Sequence, residues 1–241
     1  MKQIWQQIRQ KIELLKQKDQ SFKIFGAKEH QYLLNPCLTE TEIQNFEQQY
    51  HVTLPDDYRD FLCYVGNGGA GPMYGLFSLE ESIDEIQRNL IQVPQEYYDR
   101  LLESCQKDTL SEWMNASRQI EDFFDKKLQS GEINYDFWVQ SFPLNNDNAL
   151  AAIQERINNP TGYFFIDKDY PLGGSLPICH QGCGWMYVLV INGEQRGQIW
   201  IAGEQGWLPE FSDQTSIQKN FLAWYQSWLD SALFYLENTQ T

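Results

Sequence analysis

Up to about residue 160 the apolar positions of this chain recur at helical spacing. From Gly162 they gather instead into short runs rich in Val, Ile and aromatics, separated by glycine-containing turns. Ile4, Ile8, Ile12 and Leu15 predict a first helix, with Trp5 and basic residues on its flanks. Thr39 and Glu42 spell a capping box, and Leu38 and Ile43 are spaced as a hydrophobic staple, so a second helix opens there and runs on through Phe46 and Tyr50. Tyr58, Phe61, Leu62 and Val65 form the stripe of a third, expected to pack beside the second. Tyr97 to Cys105, Thr109 to Lys127 and Ala149 to Ile157 continue the helical pattern, with Gly131 a plausible stop and residues 135–142 a possible strand. Tyr163–Asp167, Met186–Asn192 and Gln198–Ala202 read as strands, the last two as an antiparallel hairpin. A final helix carries Phe221, Trp224, Tyr225, Trp228, Leu229, Leu233 and Leu236 on one broad face, suited to covering a sheet. Helices, then strands, then a terminal helix make an α+β fold with a mixed, largely antiparallel sheet.

The segment LPDDYRDFLCYVGNGGAGPMYGLF looks at first like a nucleotide site. Gly66, Gly68 and Gly71 satisfy G-x-G-x-x-G. That motif needs a strand before its glycines and a helix after, because the helix N-terminus holds the pyrophosphate. Here the glycines follow a helix. Pro55 suits its first position, Asp56 and Asp57 oppose the positive end of its dipole, and Gly66 is placed to end it in a left-handed conformation. No Lys-Ser or Lys-Thr pair follows, so the P-loop reading fails as well. The glycines read as a structural turn.

Composition narrows the class of protein. With 241 residues, 42% hydrophobic and 15% aromatic, the chain can bury a real core. No uninterrupted apolar run reaches membrane-spanning length, and the N-terminus lacks a signal-peptide core, so a cytoplasmic location is expected. Five cysteines without framework spacing suit a reducing compartment, and Cys63 reads as a small buried hydrophobe. The net charge is −15, yet residues 1–30 carry seven Lys/Arg against three Asp/Glu. Such acidity repels nucleic acid and anionic membrane, and attracts basic proteins.

Candidate chemistry is thin. Cys179, His180 and Cys183 make the single metal-like cluster, one ligand short of a structural zinc site, and their spacing is not that of a redox dithiol. Neither G-x-S-x-G nor H-E-x-x-H occurs. No cofactor or metal is expected, and no catalytic residue stands out. Glu80, Glu81, Asp84 and Glu85 form an acidic knot that reads either as a solvated helix N-terminus or as a docking patch for a basic partner.

Two stretches in order resemble the SUKH superfamily, the Smi-type proteins: LPDDYRDFLCYVGNGGAGPMYGLFSLEE, and GCGWMYVLVINGEQRGQIWIA followed by FLAWYQSWLDSAL. The residues that carry the likeness are Pro55, Tyr58, Phe61, Gly66, Asn67, Gly68, Gly69, Gly71, Pro72, Gly75, Cys183, Gly184, Gly197 and Trp200. The resemblance implies a mixed sheet covered by helices and no enzymatic activity. It also implies a protein partner, since many bacterial members are immunity proteins against toxins, often nucleases. Residues 82–160 depart from the pattern and read as a helical insertion in a single domain spanning 1–241. The expectation is a non-enzymatic toxin-neutralising protein, with a regulatory scaffold as the alternative and a Cys/His enzyme behind both. Its expected contacts are Glu80, Glu81, Asp84, Glu85 and exposed aromatics such as Trp185 or Trp207.

Overall fold

A computed structural model describes residues 2–90, 94–106, 110–130, 140–158, 173–203, 206–210 and 218–239. The expected strand at Tyr163–Asp167, the Thr109 cap, the Gly131 stop and most of the 135–142 segment lie outside these residues. In chain order the elements are α1 (Lys2–Lys18), α2 (Ala27–His30), α3 (Glu40–Tyr50), α4 (Asp56–Tyr64), α5 (Leu79–Leu90), α6 (Gln95–Gln106), α7 (Leu110–Ser130), α8 (Asn146–Asn158), β1 (Ser175–Gly182), β2 (Trp185–Val190), β3 (Ile199–Gly203), β4 (Gly206–Pro209) and α9 (Phe221–Asn238). The described strands form one antiparallel sheet in the order β1-β2-β3-β4, so the fold is α+β. The chain divides into two units, Ile83–Tyr135 and the remainder.

In the larger unit the sheet is covered on both faces, which is why β2 is buried along nearly its whole length and does not alternate with polar residues. On one face Met186, Val188, Val190, Trp200, Ala202 and Trp207 pack with Phe142 and Leu144, just before α8, and with Ala149 of α8. On the other, α9 lays Trp224 against Tyr187, with ring centroids 4.9 Å apart. Behind α9, Phe61 of α4 joins Phe221, Tyr225 and Trp5 of α1 in edge-on ring contacts.

The capping box at Thr39 forms as its spacing predicts, with Glu42 N bonded to Thr39 Oγ1 and Thr39 N to the Glu42 carboxylate at 2.7 Å. Arg59 of α4 forms ion pairs with Glu40 and Glu47 of α3. Two expectations change. Gly66 has no left-handed backbone; α4 stops at Tyr64 with right-handed Val65 as its cap, and Gly66 is glycine because an added Cβ would sit 2.7 Å from Asn35 O. Cys63 is half-buried and not a core residue, because the buried stripe of α4 is Tyr58, Phe61 and Leu62.

The smaller unit holds the rest of α5 and the pair α6 and α7. Tyr97 meets Phe123 at 5.3 Å and Arg100 donates to Gln119 Oε1 at 3.2 Å. Because one position rises as the other falls, these two helices run antiparallel.

Candidate functional site

The glycine segment after α4 is a junction that ties three elements together. Gly69 bridges to both Leu34 and Leu76, and Leu76 bridges on to Cys179 of β1. Space for a side chain is missing: a Cβ on Gly68 would lie 2.6 Å from the Phe77 carbonyl, and Gly68 and Gly69 have φ of 84° and 97°. Backbone amides that a phosphate would need are already bonded within the fold, Gly66 N to Phe61 O, Gly69 N to Leu76 O and Ala70 N to Leu33 O.

Asn67, 7% exposed, organises the turn. Its Oδ1 accepts from Leu79 N at 3.0 Å, satisfying an orphan donor at the start of α5, while its Nδ2 donates to Glu80 Oε2 at 3.0 Å. Ser78 and Glu81 add a reciprocal pair of bonds at the same helix start, at 2.7 and 3.1 Å. Two of the four predicted acidic contacts, Glu80 and Glu81, are therefore exposed but occupied in starting a helix. Asp84 is exposed and Glu85 half-buried, further along α5 in the smaller unit.

The opening residues of α4 serve a second helix start. Asp57 Oδ2 accepts from Leu222 N at 3.1 Å, and Asn220 Oδ1 accepts from Ala223 N at 2.9 Å, so two N-terminal donors of α9 are satisfied. Burial raises the Asp57 carboxyl above its ordinary value, while the bonds from Leu222 and Tyr58 pull it back. Tyr225 of α9 in turn donates to Ala70 O at 2.6 Å.

The second signature is a hairpin. Gly182 pairs with Trp185, leaving Cys183 and Gly184 as a two-residue turn with φ of 51° and 77°, the positive angles a type I′ turn requires. Gly197, φ 88°, donates to Val190 O at 2.8 Å and closes the β2–β3 loop; Trp200 is fully buried. Trp185 is half-buried, its ring lying over Gly203 so closely that a Cβ there would be 2.5 Å from it. Trp207 is not an exposed aromatic: β4 is buried on every residue and Trp207 packs edge-on to Phe142 at 5.4 Å.

The cluster of Cys179, His180 and Cys183 is dispersed. The Cys179 thiol is buried, sits 3.2 Å from Pro72 O and is pushed well above the usual thiol range by burial. His180 Nδ1 accepts from Gly182 N at 2.9 Å within the hairpin, and Cys183 is exposed at its tip. Among the described residues no group of three or more His, Cys, Asp or Glu is placed to hold a metal ion.

The sequence reading missed the surface where residues 19–33, the glycine segment and the β1–β2 hairpin meet. Phe25 is 59% exposed and Tyr74 42%, and their rings pair edge-on at 5.3 Å. Tyr74 also leans on His180 at 6.5 Å and lies over Gly182. Of the six described non-glycine residues with positive φ, five (Phe22, Gln31, Tyr32, Met73 and Cys183) lie in these three segments. Buried Asp19 pins the first of them, accepting from Lys23 N at 2.7 Å, Ile24 N at 3.1 Å and Tyr32 OH at 2.7 Å. The available signal was the Gly- and Pro-rich run before Tyr74 and the lone Gly26 beside Phe25, which marks turns but does not say that they converge.

The fold and this surface define a class: a helix-covered antiparallel meander whose converging loops present a paired set of exposed rings, Phe25 and Tyr74. The profile of the SMI1 / KNR4 family (SUKH-1) matches residues 37–227, and the chain belongs to that family. No curated protein and no solved structure matches it. Among the described residues no helix is long and apolar enough to cross a membrane.

Proposed function

We propose that the chain is a non-enzymatic protein-binding module, an immunity protein that neutralises a cognate bacterial toxin domain in the cytoplasm. The observation that carries this reading is the Phe25–Tyr74 pair, solvent-exposed where three loops meet that together hold five positive-φ non-glycine residues. Such backbone costs on the order of 1 kcal/mol or more per residue, is retained where the surrounding structure fixes it, and concentrates at binding sites. Rigid exposed aromatics lose little freedom on binding and are the usual anchors of protein interfaces.

Membership of the family supports a protein partner. The net charge of −15 supports a toxin with a basic surface, such as a nuclease, because opposite charge speeds encounter while the apolar anchors supply affinity. Glu80, Glu81, Asp84 and Glu85 contribute to that acidic field, and half-buried Trp185 lies at the rim of the sheet. Residues 82–160 are read as a helical elaboration of the family scaffold, and the separate compact unit Ile83–Tyr135 supports that reading.

Co-expression with the toxin encoded beside this gene tests the proposal. Wild type restores growth; failure to restore growth against any genomically linked toxin removes the immunity reading.

A further inference from the structure

Cys37 lies in an extended segment that crosses the end of α4, held by one backbone hydrogen bond on each side of it. Asn67 N donates to Pro36 O at 3.2 Å, and Leu38 N donates to Leu62 O at 3.0 Å. The second bond joins the residue after Cys37 to the residue before Cys63, so the two cysteines flank one hydrogen bond. Both are free thiols, Cys37 exposed and Cys63 half-buried. The guanidinium of Arg9 is 3.7 Å from the Cys37 sulfur, fixed there by bonds to Tyr64 O at 3.2 Å and Val65 O at 3.4 Å. Solvent access beside a cation is the setting of cysteines that react, while burial and the Glu40 carboxylate hold the Cys63 thiol above its usual range.

We infer that Cys37 and Cys63 are a redox modification site, closing a reversible disulfide when the protein meets a low-molecular-weight disulfide. The Cys37 thiolate attacks one sulfur of that oxidant, forming a mixed disulfide and releasing one small thiolate, which takes up a proton. Cys63, deprotonated in turn, attacks the Cys37 sulfur and expels the second small thiolate. Two protein thiols become one disulfide, and the small disulfide is reduced to two thiols. The bond staples the extended segment to α4 directly beside the Asn67 turn. In a reducing compartment such a pair is a transient sensor and not a permanent brace.

The test treats the folded full chain with oxidised glutathione and maps its peptides without reduction. The expected product has lost two hydrogens, carries a peptide cross-linked between Cys37 and Cys63, and reverts with dithiothreitol. Cys63→Ser halts at glutathione on Cys37, and Cys37→Ser gives no cross-link. Stable glutathione on Cys37 of the wild type, no reaction at either residue, or a 37–63 cross-link that forms only in urea each overturns the inference.

Discussion

Asn67 shows how much one side chain of the signature does. Its amide serves the α5 N-terminus and Glu80, and its own backbone is bonded to Pro36 and to the Asn35 side chain. Asn67→Ala removes a cap and leaves buried Leu79 N without its acceptor, which predicts a loss of about 2 kcal/mol in urea unfolding. A loss under half of that would mean the turn is held by its glycines alone. His30 gives a second residue-level prediction. It is buried against Tyr32 and Trp228, and burial lowers its imidazole from 6.5 to about 4. Since the folded value lies below the unfolded one, the unfolded chain takes up the proton first as pH falls. The stability from a neutral His30 is therefore present above about pH 6.5 and is lost progressively toward pH 4. Between pH 7 and pH 5, wild type should lose about 2 kcal/mol more than His30→Gln, measured by urea titration at each pH. Parallel profiles would show that the imidazole does not titrate as its burial requires.

At the scale of elements, the basic N-terminal helix proves to be an internal fitting. Lys11 pairs with Asp230 and Lys18 with Glu237, a matched step of seven residues along α1 and α9, so those helices run parallel. Arg9 donates to the last carbonyls of α4, and Lys2 lies over the Tyr64 ring at 5.6 Å. Both ion pairs are solvent-exposed, so Lys11→Gln with Lys18→Gln should cost no more than about 1 kcal/mol in thermal or urea unfolding. Helices were legible because caps and apolar stripes are local: Thr39 with Glu42, and the Trp224–Leu229 face, need no tertiary knowledge. The β2–β3 hairpin was legible for the same reason. Strand β1 was not, because Pro177 interrupts it; the structure places Pro177 in an edge strand beside a bulge, where a missing N–H is tolerated. Strand β4 was hidden by its four-residue length. Trp207 was misplaced because a buried and an exposed tryptophan look alike in sequence, and only the covering of β4 by α8 and Phe142 tells them apart.

At the scale of the whole molecule, the two signature stretches were readable as a scaffold, and the structure supplies the reason: Asn67 and Asp57 start α5 and α9, and the glycines let backbone meet backbone. The Phe25–Tyr74 surface was unreadable because Phe25, Tyr74 and Gly182 converge only through folding, across more than a hundred residues of chain. On the proposed function, the acidic field and the aromatic surface would divide the work of recognition, the first governing encounter and its salt dependence, the second the lifetime of the complex. The measurement that bears most directly on this is calorimetric titration of the purified toxin domain encoded beside the gene into wild type and Phe25→Ala/Tyr74→Ala. Truncating both anchors should weaken binding on the order of 100-fold with the unfolding temperature little changed. Equal affinity of the two proteins would contradict the assignment of this surface as the one that holds the partner.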